Sequence, residues 1–479
     1  MDNSNFIGGQ WVEGTGSIIN VNPSDTSDII DEYTSASSSQ FDQAIQSAVQ
    51  AQKEWEKVGI EKKSQILIKI GDELIEKSKL LGELLSREEG KPLAEGIGEV
   101  ARAGQQFQYY GSECLRLYGE KIPSTRPGFQ VEISREPLGV VGIIAPWNFP
   151  IAIPAWKAAP ALMCGNAVIL KPASLTPASA IELTKIIAKQ EIPDGLFNLV
   201  LGSGGEVGNK IATHKDIVAI SFTGSVEVGR KLYQDASPYL KKMQMEMGSK
   251  NPLVVMDDAD LKTAISCAAN GAFGGTGQKC TASSRLIVHE KIYKQFIEGL
   301  IENIKNIKVG HALDEGTQMG PASNHAQYES NLNYVEIGKG EAQLAYGGNP
   351  MNMRTAGYYM EPTLFIDGDN KSRINQEEMF GPIACVIPTK NLEQALEIAN
   401  DTDFGLSSGI ITQSLAKAEY FKQNIKTGVA TVNLPTAGLD YHVPFGGRKA
   451  SSFGPREQGT YARDFYSQVK TSYINSGSI

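Results

Sequence analysis

The chain has 479 residues, of which 41% are hydrophobic and 21% charged, and its formal net charge is −9. These values are ordinary for a soluble globular protein, and the length predicts two or three domains around a large core. The sequence has no long basic block, which argues against a nucleic-acid partner. No apolar run approaches the ~18 residues that a membrane-spanning helix needs, so no membrane association is expected.

The five cysteines are scattered, and none stands in a C-x-x-C pair. Such a set argues against a disulfide framework or a zinc knuckle and favours a reducing compartment. The five histidines are equally dispersed, so the sequence predicts no metal site. Residues 1–5 are polar and lack the basic-then-apolar order of a secretory signal. We therefore expect a cytoplasmic protein.

Helical patterns dominate residues 41–120. Apolar residues from Phe41 onward follow a 3.6-residue spacing, which continues after a break near Gly59. An alternating, half-exposed strand is predicted at 131–135.

From residue 139 the pattern changes to a repeated order of strand, loop and helix. Continuous apolar strands are predicted at 140–144, 167–170, 197–201 and 217–222, and a helix at 177–190. Apolar strands without alternation, each followed by a helix, predict a parallel sheet covered on both faces. Ligands in such folds bind beyond the carboxyl ends of the strands, where loops 147–150, 171–174 and 224–229 are expected.

A second α/β unit is predicted after Pro252. Its strands are expected at 253–256, 285–288 and 384–387, and its helices at 291–307 and 392–400. The tail at 465–474 mixes aromatic, β-branched and polar residues. It is a candidate strand for pairing with another subunit.

One cysteine has a different setting from the other four. Cys280 lies among small and polar residues directly after the glycine-rich segment 274–277, and Glu246 lies 34 residues upstream. An accessible thiol with a carboxylate that accepts a proton suits covalent catalysis. The alternatives are that Cys280 is a small buried apolar residue and that Glu246 is a surface glutamate on an alternating strand.

The segment TGSVEVG at 223–229 follows an apolar strand and opens a predicted helix. Free N–H groups at a helix start bind pyrophosphate, aided by the helix dipole. The same pattern also fits an ordinary turn capped by Ser225. The G-x-G-x-x-G fingerprint is absent, and the glycines at 202–205 have the wrong spacing for it.

Seven motifs in chain order together resemble the aldehyde dehydrogenase superfamily. They are APWNFP at 145–150, KPAS at 171–174, FTGSVEVG at 222–229, MEMG at 245–248, the segment around Cys280, EEMFGP at 377–382 and PFGGRK at 444–449. The match runs from residue 8 almost to the C-terminus.

This resemblance implies an α/β, aldehyde dehydrogenase-like fold with three parts. A Rossmann-type dinucleotide-binding domain is expected at 1–117 and 137–248, and a second α/β catalytic domain at 249–463. A small β oligomerisation extension is expected at 118–136 and 464–479. The family also implies a homodimer or a homotetramer.

The resemblance implies roles for three catalytic residues in the NAD(P)-dependent oxidation of an aldehyde. Cys280 is expected to attack the aldehyde and form a thioester. The Asn148 amide and the Cys280 N–H are expected to form the oxyanion hole, and Glu246 to activate the hydrolytic water.

Cofactor residues follow from the same resemblance. Gly224 and Ser225 are expected at the pyrophosphate, and Lys171 at the adenosine ribose. Ser174 stands where many NAD-preferring members carry a glutamate that repels a 2′-phosphate, so NADP is the expected cofactor and NAD is expected to be accepted. The remaining expected cofactor contacts are Trp147, Glu378 at the nicotinamide ribose, and Phe380 near the nicotinamide.

The segments 151–157 and 432–459 look like those of the 2,5-dioxopentanoate (α-ketoglutarate semialdehyde) dehydrogenase subgroup, whose product is 2-oxoglutarate. Succinate semialdehyde dehydrogenases hold their substrate carboxylate with two arginines, one near Trp156 and one where this chain has Gly274. Neither arginine is present, so the mode of carboxylate binding stays open. Succinate semialdehyde or another small aldehyde remains an alternative substrate. A CoA-acylating enzyme and a non-enzymatic structural protein on this fold remain alternative functions.

Overall fold

The structure is a computed structural model that describes residues 5–475 and 477. Residues 1–4 of the polar N-terminal segment, and residues 476, 478 and 479 of the expected oligomerisation extension, lie outside the described residues. The helices are α1 (Ser38–Glu56), α2 (Ile60–Glu76), α3 (Ser78–Glu89), α4 (Leu93–Glu113), α5 (Ala152–Met163), α6 (Pro177–Ala188), α7 (Asn209–Thr213), α8 (Val226–Ala236), α9 (Leu261–Phe273), α10 (Tyr293–Lys305), α11 (His325–Glu341), α12 (Arg373–Gln376), α13 (Leu392–Asn400), α14 (Leu415–Asn424) and α15 (Ala462–Tyr466).

Strands occur before α1 and after α4. They are β1 (Asn5–Ile7), β2 (Gln10–Val12), β3 (Thr15–Val21), β4 (Ile29–Ser35), β5 (Glu120–Pro123), β6 (Phe129–Pro137), β7 (Val140–Ile144), β8 (Ala167–Lys171), β9 (Phe197–Leu199), β10 (Ile217–Thr223), β11 (Lys242–Glu246), β12 (Asn251–Val255), β13 (Ser283–His289), β14 (Gln343–Tyr346), β15 (Thr363–Ile366), β16 (Ile383–Thr389), β17 (Phe404–Gly405), β18 (Ser407–Ile411), β19 (Val429–Val432), β20 (Arg448–Lys449), β21 (Ser452–Phe453) and β22 (Ser467–Asn475).

The first large sheet has the order β2-β1-β9-β8-β7-β10-β11-β21. Its five central strands, β7 to β11, are parallel, which confirms the parallel sheet predicted from their unbroken apolar sequences. The strand order reverses between β7 and β10. In open α/β sheets a crevice for ligands forms at this reversal, beyond the carboxyl ends of the strands. The loops after β7 and β10 therefore meet there.

The second large sheet has the order β14-β15-β16-β13-β12-β18-β19 and forms the predicted second α/β unit. Strands β12, β13, β16 and β18 are parallel neighbours in its centre, and their side chains are almost all buried. Helices α9 and α10 pack on this sheet through apolar residues that include Phe273, Phe296 and Leu300.

A third sheet joins β22, β6 and β5. The tail is a strand, as predicted, and it pairs antiparallel along its whole length with β6 of the same chain, from Ser467 opposite Pro137 to Asn475 opposite Phe129. The edge of β22 that pairs with β6 is therefore hydrogen-bonded within the same chain.

The helical region predicted to reach residue 120 is shorter than expected. Helix α4 ends at Glu113 and the chain enters β5 at Glu120. The chain at Gly119 instead passes close to β6, where an added Cβ would lie 2.1 Å from the carbonyl oxygen of Ile133. The spacing of apolar residues in the sequence does not reveal this close approach.

Among the described residues, no helix is long and apolar enough to cross a membrane. Within the same residues, no group of three or more histidine, cysteine, aspartate or glutamate side chains is placed to hold a metal ion.

Candidate active site

Two cavities meet at Cys280. The strand-end cavity, of about 300 Å³, lies beyond β7 and β10. The α4 cavity, of about 320 Å³, lies between α4, α5 and the chain around residues 437–458. Cys280 lines both, so a molecule in either cavity can reach its thiol.

The strand-end cavity collects most of the site residues expected from sequence. Its lining includes Trp147, Asn148, Gly224, Ser225, Cys280, Glu378 and Phe380. Three expected residues, Glu246, Lys171 and Ser174, lie outside the lining of this cavity.

The loop that carries Cys280 is held in a fixed shape. Gly275 and Gly277 have positive φ angles of 58° and 65°, and a Cβ at Gly277 would lie 2.2 Å from the carbonyl oxygen of Gly381. The Cys280 carbonyl accepts hydrogen bonds from the Ser249 hydroxyl and, at 2.8 Å, from Asn251 Nδ2. Sequence reasoning missed Ser249 and Asn251, although both lie just after the MEMG motif.

Exposure separates Cys280 from the other cysteines. Cys280 is partly exposed, whereas Cys114, Cys164, Cys267 and Cys385 are buried. The thiol is nevertheless surrounded by enough protein that burial, followed by the negative charge of Glu246, raises its pKa to about 12. At neutral pH the thiol therefore holds its proton, and its reactivity depends on a group that accepts this proton.

Glu246 ends β11 and is buried, so it is not the surface glutamate of the alternative interpretation. Its Oε2 accepts a hydrogen bond from the Ser452 hydroxyl on β21, which pairs with β11. Burial raises the pKa of Glu246 well above the ordinary glutamate value, and the nearby charge of Glu457 raises it further. Both effects favour the protonated form of Glu246 over the carboxylate.

A buried polar network lies behind Glu246. Lys157, which is fully buried on α5, forms an ion pair with Glu457 and donates to the Ser221 hydroxyl at 2.9 Å. Ser221 in turn donates to Gln244 Oε1 at 2.9 Å. Sequence reasoning missed this network, although a single lysine in the otherwise apolar helix α5 was a detectable signal.

Asn148 is buried beside Cys280 and is held from two directions. Its Nδ2 donates to the carbonyl of Gln278 at 2.9 Å, two residues before the cysteine. The backbone carbonyl of Asn148 accepts a 2.6 Å hydrogen bond from Lys91 Nζ, and Lys91 is paired with Glu99 at 2.7 Å. Since an amide nitrogen carries two N–H groups, a second donor remains for an oxygen in the cavity.

The turn after β10 is capped by Ser225, and its geometry is also compatible with the pyrophosphate interpretation. Ser225 is the N-cap of α8, and its hydroxyl accepts from the Val228 N–H at 3.2 Å. A Cβ at Gly224 would lie 2.5 Å from the Phe222 ring, so a side chain at this position would have to displace that ring. The other N–H groups of the first turn of α8 stay available for an anion.

Lys171 and Ser174 lie at the carboxyl end of β8, apart from the strand-end cavity. Lys171 is buried, its Nζ donates to the Pro172 carbonyl at 2.9 Å, and desolvation lowers its pKa to about 8. Ser174 is exposed and donates to the Gly202 carbonyl at 3.1 Å.

Glu378 and Phe380 reach the cavity from the second α/β unit. Glu378 Oε1 accepts from the Ser249 N–H at 2.8 Å, and burial raises its pKa to about 7. Phe380 has a positive φ of 55°, and its ring meets Trp147 edge-on with centroids 5.4 Å apart.

Comparison with known proteins agrees with this geometry. Residues 11–472 match the model of the aldehyde dehydrogenase family. The chain is 40% identical to the alpha-ketoglutaric semialdehyde dehydrogenase of Bacillus subtilis, over 98% of this chain and 97% of that protein. It is 37% identical to the 2,5-dioxopentanoate dehydrogenase of Saccharolobus solfataricus, over 97% of this chain and 98% of that protein.

A solved structure shows the same fold. The betaine aldehyde dehydrogenase of Staphylococcus aureus in complex with NAD+ superimposes with a TM-score of 0.97 at 30% identity, covering 100% of this chain and 96% of that one. From its sequence, its α/β architecture and these matches, the chain belongs to the aldehyde dehydrogenase family and is an aldehyde-oxidising enzyme.

Proposed function

We propose that this enzyme oxidises 2,5-dioxopentanoate to 2-oxoglutarate through a Cys280 thioester, with NADP as the preferred cofactor and NAD also accepted. The observation that carries the proposal is that two separate cavities meet at Cys280. Oxidation of an aldehyde at this cysteine needs the substrate on one side of it and a hydride acceptor on the other, and the two cavities provide these two places. The specific substrate is supported by the names of full-length relatives at 37% and 40% identity.

The residues of the chain account for each bond change. The Cys280 thiol loses its proton to solvent, the thiolate sulfur adds to the aldehyde carbon, and the resulting oxyanion accepts hydrogen bonds from Asn148 Nδ2 and the Cys280 N–H. Bound NAD(P) supplies the acceptor for the hydride that leaves this carbon. The thioester remains on Cys280. Glu246, once ionised, takes a proton from water, whose oxygen attacks the thioester carbon, and the carbon–sulfur bond breaks to release the acid.

The residues beyond β8 and β10 fit a dinucleotide. The start of α8, directly after Gly224, offers backbone N–H groups that suit a pyrophosphate. Glu378, partly buried on the cavity wall, would accept from ribose hydroxyls. Trp147 and Phe380 supply apolar walls for a nicotinamide ring.

The preference for NADP rests on Lys171 and Ser174. The Lys171 ammonium is buried, and desolvation alone accounts for its lowered pKa, so a bound phosphate would compensate a charge that is costly to bury. Ser174, three residues on, is a neutral hydroxyl that does not repel a 2′-phosphate.

The proposal extends to the organisation of the chain. We place the dinucleotide-binding domain at 1–117 and 137–248, the catalytic domain at 249–463, and oligomerisation strands at 118–136 and 464–479. We propose a cytoplasmic homodimer or homotetramer.

The test is reduction of NADP and NAD against a panel containing 2,5-dioxopentanoate, succinate semialdehyde and betaine aldehyde. We expect the highest kcat/KM for 2,5-dioxopentanoate with NADP. A higher kcat/KM for either other aldehyde would overturn the substrate assignment. In a parallel reaction with added CoA, accumulation of an acyl-CoA instead of the free acid would identify the CoA-acylating alternative.

A further inference from the structure

The α4 cavity contains polar groups that the proposed chemistry does not use. Gln106 is completely buried on α4 and lines this cavity, yet neither its Oε1 nor its Nε2 has a hydrogen-bond partner among the described residues. The indole Nε1 of Trp156, on α5, is also buried without a partner in the described part of the chain, and Trp156 lines the same cavity. Buried donors and acceptors are normally satisfied, so this pair points to a polar ligand group.

A cation stands one helical turn from Gln106. Arg102 lines the α4 cavity, and residues four apart on a helix lie on one face. Within the described residues its guanidinium forms neither an ion pair nor a hydrogen bond, and it lies 5.6 Å from the centre of the Tyr441 ring. Arginine presents a planar fork of donors that matches a carboxylate.

Two carboxylates line the same cavity, and each already interacts with other groups of the protein. Glu99 is paired with Lys91 at 2.7 Å and accepts from the N–H groups of Ile151 and Ala152, each at 3.1 Å. Glu95 accepts from the Gly275 N–H at 3.0 Å and interacts with the positive charge of Lys279. Lys279 also lines this cavity, and the negative charge of Glu95 acts on it. Arg102 is the lining cation that the described carboxylates leave for a ligand.

We propose that Arg102, Gln106 and Trp156 bind the 2-oxo-acid end of the substrate while Cys280 attacks its aldehyde. This inference rests on the proposed function and names how that substrate is selected. Arg102 holds the carboxylate, and the N–H groups of Gln106 and Trp156 donate to the remaining carboxylate and 2-oxo oxygens. Cys280 lines the same cavity, so one substrate chain can reach both ends of the site.

The test compares three five-carbon aldehydes: 2,5-dioxopentanoate, 5-oxopentanoate, which lacks the 2-oxo group, and pentanal, which lacks the carboxylate as well. For Arg102→Gln we expect kcat/KM to fall roughly 30-fold or more for both acids, mainly through KM, because a charge-assisted contact is lost. The kcat/KM for pentanal should change less than about twofold, since pentanal has no charged group that could interact with Arg102. Arg116→Gln, on the exposed segment just after α4, is the matched control and should leave all three unchanged.

A second variant tests the amide. Gln106→Leu removes two unpartnered polar atoms, so we expect no loss of thermal stability. Its kcat/KM for 2,5-dioxopentanoate should fall about tenfold relative to that for 5-oxopentanoate, because the leucine cannot donate to the 2-oxo oxygen. A variant that is less stable but keeps the wild-type ratio would assign Gln106 a purely structural role and overturn its part in the proposal.

The outcomes separate the two proposals. If the wild type prefers 2,5-dioxopentanoate and Arg102→Gln keeps that preference, the carboxylate site is wrong and the proposed function stands. If the wild type favours another carboxylated aldehyde and Arg102→Gln removes that preference, the carboxylate site is supported and the assignment of 2,5-dioxopentanoate as the substrate is wrong. If the wild type favours pentanal over both acids, both proposals fail.

Discussion

The two cavities that meet at Cys280 are built in different ways. The strand-end cavity is formed largely by short contiguous motifs, APWNFP and TGSVEVG among them, that directly follow parallel strands. The α4 cavity is formed by side chains that project from α4, from α5 and from the chain around 437–458, far apart in sequence. The shape of the strand-end cavity is set mainly by the backbone of these loops, whereas the lining of the α4 cavity is set mainly by which side chains the helices carry.

This difference has a physical consequence for specificity. At Gly224 a Cβ would lie 2.5 Å from the Phe222 ring, so most substitutions there would displace this ring or the loop itself. A cavity-lining helix position such as Gln106 can change its side chain while the helix keeps its hydrogen bonds. We therefore expect changes to the strand-end cavity to affect all aldehydes alike, and changes to the α4 cavity to affect one class of aldehyde.

The largest expected effect concerns the residue that both cavities share. Cys280→Ser should lower kcat by about 10⁴-fold or more for every aldehyde and with either cofactor, because the nucleophile is lost. Cofactor binding, measured by fluorescence titration, should be nearly unchanged. The matched control is Cys267→Ser, a buried cysteine on α9. Substantial activity in the Cys280 variant would end the covalent mechanism.

The next effect concerns Glu246, which lies outside both cavities. Glu246→Gln keeps the side-chain shape and removes the base, so kcat should fall about 10²- to 10⁴-fold while a pre-steady-state burst of reduced cofactor persists. Stopped-flow absorbance would separate the burst from turnover. Glu377→Gln, an exposed carboxylate paired with Arg373, is the control. An unchanged steady-state rate would exclude Glu246 as the base for hydrolysis.

A pH dependence follows from the same residue. Burial, followed by the charge of Glu457, raises the pKa of Glu246 well above its ordinary value, so this carboxyl becomes a base at a higher pH than an ordinary glutamate does. Wild-type kcat should therefore increase with pH, by up to about tenfold per unit below that raised pKa. Measured between pH 6 and 10, this rise should be lost in Glu246→Gln. A flat wild-type profile would contradict the raised pKa.

The smallest expected effect is confined to the cofactor side. Ser174→Glu should shift the kcat/KM ratio of NADP to NAD at least about tenfold toward NAD, because a carboxylate would face the 2′-phosphate. The KM for the aldehyde should not change. Ser174→Gln has a similar size without the charge and should keep most of the NADP preference. A ratio unaltered by Ser174→Glu, measured at one ionic strength, would place Ser174 away from the adenosine ribose.

Much of the fold followed from local sequence. The unbroken apolar runs at 140–144 and 217–222 predicted buried parallel strands, because only a sheet covered on both faces needs side chains that are apolar on both sides. The small neighbours of Cys280 correctly indicated the partly exposed cysteine among five. These features depend on residues that are adjacent in the chain.

Other features were decided only when distant segments packed together. Glu246 lies on a short strand whose sequence fits a surface position, and it is buried because β21, about 200 residues later, covers it. The ion pair of Lys157 with Glu457 joins residues 300 positions apart. Arg102, Gln106 and Trp156 became a candidate substrate site only when α4 and α5 enclosed one cavity with Cys280. How far a residue is desolvated and which groups it contacts depend on what packs around it in space, and the neighbouring sequence does not determine this packing.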